Sequence, residues 1–394
     1  MPDFKFPGVY LEEIDPGMHP IEGVSTTIAA FVGFAESGTT TATLISSFNE
    51  YNETFGGFAT NGYLPYAVQG FFQNGGQRCY VLRLSTQTSP LTRAKLPSLP
   101  RASVKEVGVP ADPKLTHAMP IEAAKALVQL DTVSDISIVC CPDEQSVSGM
   151  TAALIAQCER LRYRFAVLAA PVGDDLSNAP PSEARSAHAA YYAPWVMVAN
   201  PAGGAAIAVH PGGHITGAIV ANDLRHGVHK APGNLPITGI VGLERIVTDR
   251  QQEALSPRGV NVLRNFPGRG NFIWGTRTTS SDPEWKYVNI RRFFMYLENS
   301  IEQGTQWVAF EPNGEPLWAS VRQTIGNFLL NVWKVGALLG TSPGEAYFVR
   351  CDRTTMTQDD IDNGRLICLV GVAAVRPAEF VIFRIGQRTA DASC

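Results

Sequence analysis

The sequence predicts an α/β protein: a layered α/β core, then a smaller α+β domain, with an extended strand arm at each end. Three observations carry that expectation. Short apolar runs alternate with helix-periodic segments from Ser25 to about Ala199. Beyond Asn271 the pattern changes to two long helical stretches followed by strands. Extended, β-rich runs stand at both chain ends, Phe4–Ile14 at one and Arg365–Val375 and Phe380–Ile385 about a turn or bulge at Arg376–Glu379 at the other, where a strand must pair or remain an open edge.

Ser25–Ala35 (STTIAAFVGFA) reads as a buried strand. Leu64, Ala67, Val68, Phe71 and Phe72 recur at helical spacing, and Asn74-Gly75-Gly76 ends the helix. Cys79–Leu84 follows as a strand, so a strand–helix–strand unit and a partly parallel sheet are expected. Ser85–Pro120 lacks periodicity and reads as a loop-rich insertion. Alternation then resumes, with helices at Pro120–Leu130, Ser146–Leu161 and Glu183–Tyr191. The strands between and after them are Ile136–Cys141, Phe165–Ala170 and Trp195–Ala199. One long helix is expected from Pro283–Glu284, with Ile290, Phe293, Phe294, Leu297 and Ile301 as its apolar stripe and Gly304 as its stop. A strand Gln306–Phe310 precedes a second helix from Pro316, whose stripe is Leu317, Val321, Ile325, Phe328, Leu329 and Val332. Tyr347–Cys351 is a strand. Thr357, with Asp360 three residues on and Gly364 beyond, marks a short capped helix. The expected organisation is an arm at 1–24, a core at 25–270 with the insertion at 85–120, a second domain at 271–375 and a strand arm at 376–394.

Composition narrows the function. The 394 residues are 45% apolar, enough for two domains. A net charge of −4 implies no basic face for nucleic acid. Seven scattered cysteines, mostly inside apolar runs, read as reduced core thiols of a cytoplasmic protein. Cys140–Cys141 lies in an apolar strand with no metal-ligand partner nearby. The start MPDFKFPG lacks a secretory profile, and no run reaches the length of a membrane span.

No catalytic residue, cofactor or metal is expected. PGRGNFIWG holds Gly268 and Gly270 but no third glycine of a dinucleotide loop, and GxxxxGK[ST] does not occur. His210 and His214 stand four apart around Pro211-Gly212-Gly213, a sequence unsuited to helix. His226 and His229 follow Asn222-Asp223 in what reads as a polar loop. All four read as loop histidines making surface or interface contacts. No GxSxG elbow marks a hydrolase. The residues alone leave the terminal strands open: they fold back on their own domain, or they pair with neighbouring subunits.

Several segments together resemble the contractile tail sheath family of bacteriophage tails, R-type pyocins and phage-tail-like injection systems. They are PGVYLEE near the start, GGQRCYVLRL (75–84), DLRHGVHKAPGN (223–234), NFIWGTRT (271–278) and WKYVNIRR (285–292). IEQGTQWVAFEPNGEPLW (301–318), TMTQDDIDNGRL (355–366) and RPAEFVIFRI (376–385) complete the likeness, in which Gly233 stands where the family usually has Ala. The resemblance implies stacked hexameric rings around an inner tube protein, with baseplate and terminal cap proteins as further partners, and neither nucleic-acid binding nor membrane insertion. It implies arms lent to neighbours: Val9, Tyr10, Leu11 and Glu12 at one end, Phe380, Val381, Ile382 and Phe383 at the other. Asp359, Asp360 and Asp362 would face a basic patch on the tube, or Asp359 and Asp360 simply favour their helix N-terminus while Asp362 is solvated. Arg277, Arg291 and Arg292 read equally as core or interface charges. The competing readings are a soluble α/β hydrolase or transferase without an identifiable site, and a non-contractile shell protein.

Overall fold

The computed structural model describes residues 19–58, 62–84 and 123–379. The insertion at 85–120 and both sets of arm residues, Val9–Glu12 and Phe380–Phe383, lie outside them. The strands and helices run β1 Ala29–Gly33, β2 Thr43–Ile45, α1 Phe48–Phe55, α2 Leu64–Gln73, β3 Cys79–Arg83, α3 Ala123–Leu127, β4 Ile138–Cys140, α4 Met150–Leu161 and β5 Phe165–Ala169. Next come β6 Ala189–Ala193, β7 Val196–Val198, β8 Ile207–Val209, α5 Gly212–His226, β9 Leu235–Pro236, β10 Gly242–Leu243, α6 Asp249–Leu255, β11 Val260–Phe266 and β12 Gly270–Trp274. The last are α7 Val288–Gly304, α8 Glu315–Lys334, α9 Pro343–Ala346, β13 Tyr347–Arg350, α10 Gln358–Asp362 and β14 Leu369–Val372.

Contacts divide the chain into two compact units, one of residues 24–298 with 375–379, the other of 19–23 with 299–374. The larger unit is built on a nine-stranded sheet in the order β2-β3-β1-β4-β5-β6-β11-β12-β9. From β3 to β11 the strands are parallel, Ala29 facing Cys79 on one side and Ile138 on the other. β2, β12 and β9 join antiparallel. Every residue of β1, β5 and β6 is buried, because helices and loops cover both faces. One face packs Phe31, Ile138 and Val167 with Phe71 of α2 and Ile219 of α5; the other packs Val32, Val139 and Leu168 with Leu154 of α4. The hairpin of β11 and β12 belongs to this sheet, so it spans the 270/271 border drawn from the sequence.

Four sequence readings are corrected. Glu183–Tyr191 is not a helix: a 3-10 turn at Ser182–Ala184 leads into β6, AAYYA. Alanine favours helix locally, but pairing between β5 and β11 with burial on both faces overrides that preference. Gln306–Phe310 is not a strand. It opens as a 3-10 turn at Gln306–Val308, with the Trp307 indole N–H bonded to the Gly304 carbonyl at 3.1 Å. The helix expected from Pro283 begins at Val288, because Thr278 N–H bonds the Lys286 carbonyl and Val288 N–H bonds that of Thr276, holding the chain extended. Finally, the glycine-rich HPGGH opens a helix, α5, which includes Asn222 and Asp223.

Close packing explains the glycines of α5. A Cβ on Gly213 would lie 2.1 Å from the Ala67 carbonyl oxygen, and one on Gly217 2.4 Å from that of Phe71. The two backbones of α2 and α5 touch, which only glycine permits.

In the smaller unit, α8 buries Trp318, Val321, Ile325, Phe328, Leu329 and Val332 along one face. The N-terminal chain packs here too: His19 stacks on Trp307 with ring centres 4.4 Å apart. β13 and β14 form a separate antiparallel ribbon, from Tyr347 opposite Val372 to Arg350 opposite Leu369.

Candidate assembly interface

The ribbon is the open element of the smaller unit. Among the described residues only β13 and β14 form this sheet, each with one edge that no further strand flanks, while just past β14 the chain is bridged, Ala374 to Leu338, with Leu339 N–H bonded to the Ala373 carbonyl at 2.7 Å. Phe348 is 49% exposed, Leu369 51% and Val370 37%, and Ile367 adds a further exposed apolar side chain. Unfilled backbone edges beside exposed apolar groups are the features that recruit an added strand.

α10 lies in the connection between the two ribbon strands. Thr357 and Asp360 form a reciprocal capping box, the Asp360 carboxylate accepting from Thr357 N–H at 2.9 Å and its hydroxyl at 2.6 Å. Those bonds and that of Arg365 hold the Asp360 carboxyl down at about 2. Arg365 also pairs with Asp359 at 2.6 Å. Among the described residues, Asp362 accepts from Gln358 alone, at 2.8 Å, within the same helix. The three acids thus share one helix turn, with two of them committed to capping and to Arg365.

Glu379, the last described residue of the larger unit, is held by three groups. Its carboxylate accepts from Arg277 Nε at 2.6 Å, Lys286 Nζ at 3.0 Å and the Tyr287 hydroxyl at 3.1 Å. Burial acts to raise its pKa, and the Arg277 and Lys286 hydrogen bonds and charges outweigh it, leaving the value lowered. Arg277 is itself braced by the Ser256 carbonyl. Sequence reasoning missed Glu379; its signal was an acid immediately before an apolar strand run.

Arg292 closes the corresponding point at the other end. Its guanidinium makes a two-pronged bond with Asp223, 3.1 Å to Oδ1 and 2.7 Å to Oδ2, and reaches the Thr26 carbonyl at 3.0 Å. Both side chains are almost wholly buried, and the Thr26 hydroxyl donates to the same carboxylate. The arginines therefore separate: Arg292 is a core charge, Arg277 a largely buried clamp on Glu379, and Arg291 covers the Trp285 ring while bonding His188.

The C-terminal ends of the parallel strands, where an α/β enzyme places its chemistry, hold a buried polar cluster. Asp143 accepts the backbone N–H groups of Phe34 and Tyr63 at 2.9 and 2.8 Å. Burial raises its pKa to about 6 against those bonds. Glu144 accepts from Ala169 N–H at 2.8 Å and from the Thr151 hydroxyl at 3.1 Å. His210 Nδ1 accepts from Gly212 N–H, so the proton sits on Nε2 and is donated to Glu144 at 3.1 Å. The cluster ties loop backbones together from within and opens to no solvent, His210 being 1% exposed.

His214 is equally buried against Gly70, its Nδ1 has no hydrogen-bond partner, and burial lowers its pKa to about 4. Both histidines were expected in surface loops. The close approach of α2 and α5 puts His214 in the core instead. Among the described residues no three His, Cys, Asp or Glu side chains gather as a metal site, and no helix is long and apolar enough to cross a membrane.

Comparison with known proteins adds an independent line. Residues 119–279 match the phage tail sheath protein central domain, and residues 280–388 the phage tail sheath C-terminal domain. The chain is similar to the helical sheath of the anti-feeding prophage in its contracted state, seen by cryo-EM, with 32% identity and a TM-score of 0.78 over 98% of this chain and 100% of that one. It is also similar to a chain of the six-fold symmetrised baseplate of the same particle, at 31% identity and a TM-score of 0.76, again over 98% and 100%. A putative prophage major tail sheath protein of Pseudomonas aeruginosa (strain UCBPP-PA14) is 24% identical over 196 residues, a match spanning 49% of each chain.

Proposed function

This chain belongs to the phage tail sheath family and is a structural subunit of a contractile sheath, and we propose that it polymerises by lending its terminal strands to neighbouring copies. In this reading the subunits form stacked hexameric rings around an inner tube. Shortening of the sleeve drives the tube through a target envelope. The single observation that carries strand exchange is the open ribbon of β13 and β14 on a chain whose own ends are β-rich. An added strand of five or six residues makes several backbone bonds worth roughly 0.5–1.5 kcal/mol each. Burying side chains such as Phe380, Val381, Ile382 or Phe383 adds roughly 1.5–3 kcal/mol apiece. Each link is modest, and a closed ring multiplies it.

The six-fold symmetry of the anti-feeding prophage baseplate supports rings of six and a baseplate partner. An inner tube protein and terminal cap proteins are the other partners. Asp362, the acid of α10 not engaged by Arg365 or the capping box, is the group offered to a basic patch on the tube, with Asp359 and Asp360 beside it. Contraction is a switch between two packings of rigid bodies while the exchanged strands stay paired. The subunit turns over no substrate. It assembles in the cytoplasm, and the sheath is then part of a phage tail or tail-like particle.

The test is assembly of truncated chains, viewed by electron microscopy. Deleting Met1–Asp15, or stopping after Val375, should leave a folded α/β body that builds no cylinders. A stop after Glu379 keeps the clamp and isolates the arm itself. Normal cylinders from any of these three would refute strand exchange.

A further inference from the structure

We infer that Cys351 and Cys368 are a redox-convertible pair, joined on oxidation into a disulfide across the ribbon of β13 and β14. The ladder ends at Arg350 opposite Leu369, and the same register carried one step beyond it sets Cys351 opposite Cys368. The parity of that step is also legible. Ala373 N–H bonds the Ala346 carbonyl, which makes 346–373 a hydrogen-bonded pair. Alternation along an antiparallel ladder then makes 351–368 a non-hydrogen-bonded pair, with Cα atoms about 4.5 Å apart and side chains close together. A disulfide spans Cα separations of about 4.4–6.8 Å. Consistently, the Cys351 carbonyl is engaged by Arg322 rather than by the opposite strand.

The other described cysteines are placed differently. Cys140 and Cys141 are consecutive strand residues facing opposite cores. Cys79 shares a face with Cys140, but β1 runs between their strands. Cys158 lies on the far face with Cys141, on helix α4.

Glutathione disulfide is a sufficient oxidant. Cys368 is the half-buried thiol and Cys351 the buried one, so Cys368 meets the reagent first. Its thiolate attacks one sulfur of glutathione disulfide, forming a mixed disulfide and expelling one glutathione thiolate. The Cys351 thiolate then attacks the Cys368 sulfur, forming the cross-link and expelling the second glutathione. The protein loses two protons and two electrons, and glutathione disulfide becomes two thiols. Burial pushes Cys368 up to about 12 and raises Cys351 too, while the nearby Arg322 charge favours both thiolates. Conversion is therefore slow at neutral pH, as suits a staple that stays open in a reducing compartment and closes on prolonged exposure to an oxidising one. Closed, it makes a covalent ring of residues 351–368, with α10 inside, so the ribbon end cannot splay.

The experiment incubates the full-length protein in graded mixtures of glutathione disulfide and glutathione, traps thiols by alkylation and maps peptides by mass spectrometry. The Cys351 and Cys368 free-thiol signals should disappear together into one cross-linked peptide and return with excess glutathione. Amide exchange across 352–367 should slow in step. C351S should leave Cys368 glutathionylated without a cross-link, and C368S should leave the buried Cys351 a free thiol. A folded wild-type protein that yields no 351–368 cross-link at any ratio, or that stops at mixed disulfides, overturns the inference. That wild-type result decides the question even if a serine variant fails to fold.

Discussion

Replacing Asp223 by Asn tests whether the buried ion pair holds the junction of the N-terminal segment with the larger unit. The substitution keeps the side-chain shape but removes the charge that faces Arg292, whose side chain is 4% exposed against 1% for Asp223. Arg292 would retain the Thr26 carbonyl but lose its only charge-neutralising partner at this site. Breaking one side of a buried pair costs about 3–5 kcal/mol, a large part of the 5–15 kcal/mol that stabilises a typical domain. The pair also anchors Thr26 through backbone and hydroxyl together, so the loss loosens the chain just ahead of β1. Urea unfolding of the unassembled subunit, followed by tryptophan fluorescence, measures the change as a lower midpoint at unchanged slope. The double variant D223L/R292M should recover most of the loss, because two apolar groups leave no buried charge behind. A single variant within about 1 kcal/mol of the wild type, or a double variant as unstable as the single, would refute the reasoning.

Two further expectations concern the arm root and the buried histidine. Glu379→Ala removes a partly exposed clamp worth about 1 kcal/mol and should raise the concentration needed for assembly about five-fold; sedimentation of polymer at a series of concentrations checks it. His214 is held neutral, with a folded value near 4 against an ordinary value near 6.5, so its contribution of about 3 kcal/mol is present above pH 6.5 and lost as pH falls toward 4. Asp143 works in the opposite sense: raised to about 6, it contributes stability below the ordinary carboxylate range that is lost as pH rises through 6. H214N should therefore lose less stability than the wild type between pH 7 and 4, as measured by urea midpoints across that range.

Elements whose signal lies within a few neighbouring residues were legible. The β1–α2–β3 unit, the apolar stripe of α8 and the Thr357–Asp360 cap follow from spacing and capping chemistry alone. β6 was not, because alanines and tyrosines take the strand form only where two partner strands wait. α5 was hidden for a related reason. Its glycines weaken a helix locally, and their use appears only when the α2 backbone lies against them. The residues of the proposed assembly divide in the same way: the β-rich ends are plain in the residues, whereas Glu379, Arg277 and Lys286 are far apart in sequence and meet only in the fold.

By itself the sequence determined the α/β class, the order of most elements, and a likeness spread over enough segments to name a family. Tertiary structure alone decided which arginine is buried, that His210 and His214 are core groups, and that, among the described residues, β13 and β14 form a two-stranded ribbon of their own. The division has a physical cause. Periodicity, caps and turns are set by interactions within a helical turn or a strand, while burial of a charge and the vacancy of a sheet edge depend on chain segments tens to hundreds of residues away.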